Sequence, residues 1–238
     1  MASRLLAPLV GLLVAASLAG CAPSAPSPAH APEPRSPAPT AVRPTEPPSP
    51  EPATTLVALG DSLSRGFDAC DHYGDCTRAS WSTGSDPTVD PLATRLREKP
   101  GGRVVVHNDA RSGARVADLP AQVDAAIAQR PTLVTLLIGG NDVCRARLAD
   151  MTPVGSFSRV VGEQLQRLAA ALPQATILVA SVPDVTNLLP VAAANPTARF
   201  LWSTLGGCAT VLADPRSRTP AAEDRRAAVR SRIDAYNG

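Results

Sequence analysis

Polar and apolar positions alternate between two patterns along most of the chain. Continuous apolar or β-branched runs at residues 54–59, closed by Gly60, and at 103–107, 133–138 and 176–181 read as buried strands. Between them the apolar residues recur at helical spacing. Val116, Leu119, Val123, Ala126 and Ile127 share one face of a helix predicted over 116–129. Val161, Leu165, Leu168 and Leu172 do the same over 160–172, and 226–236 reads as a further amphipathic helix. Strands that are apolar throughout, alternating with amphipathic helices, predict a parallel sheet covered on both faces. In such sheets ligands bind beyond the carboxyl ends of the strands. The loops after Leu59, His107, Ile138 and Ser181 are therefore where chemistry is expected.

Residues 1–53 break the pattern. Arg4 precedes a short apolar run over 5–18 that ends in Leu18-Ala19-Gly20-Cys21. At ~14 residues the run is short of the roughly 20 a membrane-spanning helix needs, and it reads as an export signal. Residues 22–53 hold 12 of the 25 prolines and no aromatic, so they cannot build a core and read as an extended, disordered linker. Residues 54–238 carry all seven aromatics and form one domain of ordinary size. The net charge is +2, from 23 basic and 21 acidic residues, which argues against a dedicated nucleic-acid binder. Leu18-Ala19-Gly20-Cys21 resembles the lipobox of bacterial lipoproteins. That resemblance implies a diacylated Cys21 and a domain held by its lipid anchor on the outer side of a bacterial membrane.

The remaining cysteines are Cys70, Cys76, Cys144 and Cys208. An even number in an exported domain suggests two disulfides, for which three pairings are open. Cys70–Cys76 would close a short loop, with Cys144–Cys208 as the long-range bridge. The two-residue spacing of a zinc site is absent, so no metal is expected.

Three of the loops carry candidate chemistry. Gly60-Asp61-Ser62-Leu63 follows the first strand, Asn108-Asp109-Ala110-Arg111-Ser112-Gly113-Ala114 the second, and Gly139-Gly140-Asn141-Asp142 the third. Each alone is ordinary turn chemistry. Placed together at successive strand ends, they supply an exposed serine on an expected strand-to-helix turn, and amide donors for an oxyanion.

These blocks resemble those of the SGNH, or GDSL, hydrolases. The match is closest to the phospholipase-B-like branch, through Ser80-Trp81-Ser82-Thr83-Gly84, Ser112-Gly113-Ala114 and Gly139-Gly140-Asn141-Asp142-Val143-Cys144. The resemblance implies a flavodoxin-like three-layer α/β/α fold with a parallel sheet. It implies Ser62 as nucleophile and an oxyanion hole of the Ser62 N–H, the Gly113 N–H and the Asn141 amide. It further implies no cofactor and a small acyl-ester or lipid substrate, with Trp81 tilting the expectation toward acyl lipids.

The family's Asp-x-x-His block, which supplies the general base, has no counterpart here. The histidines are His30 in the linker, His72 between Cys70 and Cys76, and His107 at a strand end. The hydrolase domain is accordingly expected to be C-terminally incomplete, with weak or no esterase activity as written. The competing expectation is a tethered lipoprotein that binds a lipid or cell-wall component without turning it over.

Overall fold

The computed structural model describes residues 53–197, 200 and 208–238. The expectations for the lipobox at Cys21, the linker and His30 lie outside them. Four parallel strands form the sheet: β1 (Thr54–Gly60), β2 (Val104–Asn108), β3 (Leu133–Leu137) and β4 (Thr176–Val179), in the order β2-β1-β3-β4. Between them run α1 (Leu92–Arg97), α2 (Leu119–Gln129), the short α3 (Gly140–Val143) and α4 (Val154–Ala171). After β4 come α5 (Leu188–Ala194), α6 (Ala209–Leu212) and α7 (Pro220–Asn237). Parallel pairing demands a crossover between neighbouring strands, and the helices supply it.

The register explains which side chains are core. Val57 and Leu59 lie opposite Val134 and Leu136, which lie opposite Ile177 and Val179. Because side chains alternate across a sheet, this set faces one side. There it packs with Val123 of α2, Leu168 of α4, and Val229 and Ile233 of α7. Thr135 points the opposite way and meets Ser82, whose hydroxyl lies 2.7 Å from its own. The second face is thus covered by residues 77–93, which end against Ala93 of α1, itself fully buried.

Both disulfides join the pairs favoured above. Cys70 is bonded to Cys76, and Cys144 to Cys208. The second ties the end of α3 to the start of α6, where Thr210 donates to the Val143 carbonyl at 2.7 Å.

Two expectations need correction. The chain does not enter a helix after Ser62, because residues 61–68 form a succession of turns and α1 begins only at Leu92. Nor is the sheet covered evenly. Leu178 and Val179 of β4 are 44% and 49% exposed, although their sequence reads as fully buried strand. Beyond β4 no further strand is paired among the described residues.

Candidate active site

β1 delivers Ser62 at its carboxyl end, and Gly60 makes the exit from the strand. Its φ is +133°, and a Cβ there would lie 1.9 Å from the Leu137 carbonyl oxygen of the neighbouring strand. No side chain fits that approach. Past the end of β2, Gly60 has no strand on that side, and the Gln122 side chain of α2 takes its place. Gly60 N–H donates to Gln122 Oε1 at 2.7 Å, and Gln122 Nε2 donates to Gly60 O at 2.9 Å.

The turn itself is held by its own acid and serines. Asp61 Oδ1 accepts the Leu63 N–H at 3.0 Å, while the Ser62 carbonyl accepts the N–H groups of Arg65 and Phe67. Ser64 Oγ donates back to the Leu59 carbonyl. Ser62 is left half-buried, with Leu63 exposed beside it.

The three loops meet. The loop after β2 is hung on β1, with Asp109 and Ala110 donating to the Ala58 carbonyl and Arg111 to that of Gly60. The loop after β3 reaches it twice. Val116 N–H donates to Asp142 Oδ2, and Asn141 Nδ2 donates to the Ala114 carbonyl, both at 3.0 Å. Asn141 thus spends one N–H on the neighbouring loop and keeps a second. Gly113 is exposed, with φ +81° and open space where a Cβ would project. Two N–H donors, from Gly113 and Asn141, consequently stand on adjacent loops next to a serine-bearing turn.

Two buried carboxylates lie under this arrangement. Asp61 is 1% exposed, and its Oδ2 has no hydrogen-bond partner. Burial, reinforced by the charge of Asp142, pushes its pKa from the usual 3.8 up to about 6. Asp142 is fully buried and is also raised, by burial, although Thr152 Oγ1 donates to it at 2.6 Å and Val116 N–H bonds it too. Thr152 is in turn anchored by α7, where Arg232 and Tyr236 both donate to its carbonyl.

The histidines stand apart from Ser62. His72 is exposed, with Nε2 3.2 Å from the Asp75 carbonyl oxygen, and His107 is half-buried in β2 opposite Val57. No hydrogen bond links either ring to Ser62 among the described residues. Trp81 packs in the segment covering the second sheet face, and its buried indole N–H finds no hydrogen-bond partner.

Sequence reasoning gave no role to Gln122 or Asp75, and named Asn108 only as the start of the loop after the second strand. Asn108 Nδ2 donates to the Ser64 carbonyl and to Thr83 Oγ1, both at 2.8 Å. Gln122 alone carried a signal, since it lies three residues after Leu119 and four before Ala126, on the apolar stripe of α2. A polar residue on a buried helix face needs a partner.

Residues 58–237 match the model of the GDSL-like lipase/acylhydrolase family. No curated protein matches the sequence. Among solved structures, a lipase/acylhydrolase from Enterococcus faecalis is 20% identical, covering 55% of this chain and 57% of its own, with a TM-score of 0.39. An acetylxylan esterase from Geobacillus stearothermophilus is 17% identical over 78% of this chain and 74% of its own, with a TM-score of 0.41. An extracellular lipase from Streptomyces rimosus is 20% identical over 77% and 73%, with a TM-score of 0.42. The chain thus spans little more than half the length of the Enterococcus protein.

Proposed function

The chain belongs to the GDSL-like lipase/acylhydrolase family, and on that premise we propose that it is a serine hydrolase of acyl esters centred on Ser62. The reading rests on the meeting of three strand-end loops, fixed by the Asn141 bond to the Ala114 carbonyl. In this reaction Ser62 Oγ attacks the ester carbonyl carbon. The carbonyl electrons move onto oxygen, and the oxyanion is met by the N–H groups of Ser62, Gly113 and Asn141. Each such donor is worth ~3 kcal/mol in the transition state. Collapse of the adduct breaks the bond to the alcohol and leaves the acyl group on Ser62, which water then removes.

With neither His72 nor His107 bonded to Ser62, the serine proton passes to solvent, and the rate falls to what the oxyanion hole and binding supply. The proposed activity is therefore weak. Hydrolysis of p-nitrophenyl butyrate across pH 6–9 tests this. The expected rate is low, is lost in Ser62→Ala, and climbs steadily with hydroxide. Turnover that survives Ser62→Ala would sink the nucleophile, and a plateau near neutral pH would reveal a titrating base.

That no histidine is bonded to Ser62 among the described residues also favours a second reading, a binding protein that holds a lipid or wall component. A fluorophosphonate probe separates the two, since labelling at Ser62 belongs only to the enzyme. The membrane location is likewise proposed, through diacylated Cys21. Its test is membrane association that resists carbonate washing and disappears in Cys21→Ala.

A further inference from the structure

The Gly113 loop is gripped on both flanks by side chains from other parts of the chain. On one flank Asn141 Nδ2 donates to the carbonyl of Ala114. On the other, the hydroxyl of Ser112 donates to Asp75 Oδ1, across a sequence separation of 37 residues. Asp75 is shared. Its Oδ2 accepts Arg65 Nε at 2.8 Å, and Arg65 stands three residues beyond Ser62 in the serine-bearing turn. Arg65 also donates through Nη1 to the Asn108 carbonyl at 3.2 Å, at the end of β2.

Asp75 is held in place to do this. The Cys70–Cys76 bond closes its loop, and the N–H of Cys76 donates to the Arg65 carbonyl at 3.2 Å. The hydrogen bond from Ser112, followed by the bond and charge of Arg65, holds the Asp75 carboxyl below the usual carboxylate range. It is charged at neutral pH and accepts from both partners.

Resting on the reading of Ser62 and Gly113 as nucleophile and oxyanion donor, we propose that Asp75 is a positioning residue. It ties the Ser62 turn, through Arg65, to the Gly113 loop, through Ser112. It thereby sets the separation between nucleophile and oxyanion-hole N–H. Gly113 needs such a brace. It is exposed, has a left-handed backbone, and nothing packs where its side chain would be. Its immediate neighbours, Ser112 and Ala114, are held by the Asp75 carboxylate and the Asn141 amide. A misplacement of ~1 Å at such a donor costs on the order of 100-fold in rate.

The experiment compares the 238-residue chain with Asp75→Asn, Ser112→Ala and Asp75→Glu, and with Glu163→Gln as a control that breaks an exposed ion pair on α4. Amide hydrogen exchange is read at Ala114, which is buried and whose N–H donates to the Arg111 carbonyl, and at Leu136 in the core as a reference. Butylboronic acid is titrated as a probe that forms a tetrahedral adduct with a serine. Melting temperatures monitor folding. In Asp75→Asn and Ser112→Ala, exchange at Ala114 should rise about tenfold and the boronate should bind about tenfold more weakly. Leu136, Glu163→Gln and the melting temperature should stay close to the parent values. Asp75→Glu, which keeps the charge, should recover part of both effects. Where ester turnover is measurable, kcat should fall with KM unchanged.

Parent-like exchange at Ala114 in Asp75→Asn would overturn the proposal, as would a rise matched at every core amide. If the parent chain forms no boronate adduct, or Ser62→Ala binds the probe equally well, the reading of Ser62 fails instead. Exchange at Ala114 still decides the brace in that case.

Discussion

β1 and β4 are built from similar apolar sequence, and the structure treats them in opposite ways. Leu56 to Leu59 of β1 are fully buried, while Leu178 and Val179 of β4 are nearly half exposed. The contrast continues at their carboxyl ends. At β1 nearly every backbone group is claimed, by Gln122 at Gly60, Asn108 at Ser64 and the Arg111 N–H at Gly60. At β4 the exit is held mainly by one side chain, with Asn237 donating to the Val182 carbonyl and accepting its N–H. Position in the sheet order, rather than composition, makes the difference. A central parallel strand has partners on both edges and layers on both faces, and an outer one has neither in full. Ser62 follows the central strand, paired on both edges, while Gly113 follows the outer strand β2 and Asn141 follows β3.

The comparison can be broken most severely at Gly60. Gly60→Ala puts a methyl against the Leu137 carbonyl with no flexible neighbour to move. It should cost more than ~4 kcal/mol and leave little folded protein, as judged by circular dichroism and soluble yield. Next, Leu136→Ala, in the middle of the sheet, should cost about 3 kcal/mol in urea unfolding, whereas Leu178→Thr on β4 should stay within about 0.5 kcal/mol.

A pH series sharpens the contrast from beneath the site. The folded pKa of Asp61 is above its unfolded value, so the folded protein holds this proton more tightly. Stability from this group is fully present below pH 3.8 and is lost as pH rises through about 6. The loss is about 3 kcal/mol for a shift of about two pH units. Asp61→Asn should lack that decline, visible as parallel melting temperatures at pH 4 and pH 7.5. The smallest effect is expected at the β4 exit, where Asn237→Ala should cost about 1 kcal/mol and raise exchange at Val182.

Much of the scaffold was legible because periodicity reports burial. The predicted strands match β1 to β4 within two residues at either end, and the 116–129 pattern resolves into a single 3-10 turn followed by α2. The predicted helix at 160–172 starts six residues earlier, at Val154, and buried Phe157 extends its apolar face by one turn past Gly155, Ser156 and Ser158. The connection at 61–91 was not legible. Its shape depends on Gly66, with φ +60°, on Gly84, pressed against the Arg78 and Ser80 carbonyls, and on a disulfide. None of these produces a repeating pattern. For the proposed site, motif order pointed to Ser62, Gly113 and Asn141, whose loops the fold brings to neighbouring strand ends. The support from Asp75 was hidden because a hydrogen bond over 37 residues leaves no local trace, and Gln122, though conspicuous on the apolar stripe of α2, gave no hint of a partner 62 residues away.

The Gln122 bond has a consequence for how the chain is made. Gly60 emerges from the ribosome with no partner for its N–H, and the residue that completes its turn follows 62 positions later. At roughly 5–20 residues per second, several seconds pass before that amide is synthesised. Ser62 therefore sits on an unfinished turn throughout early synthesis. The turn that carries Ser62 waits for a residue made well after its own codon is read, and β1 waits longer still for its β3 partner at Leu133–Leu137.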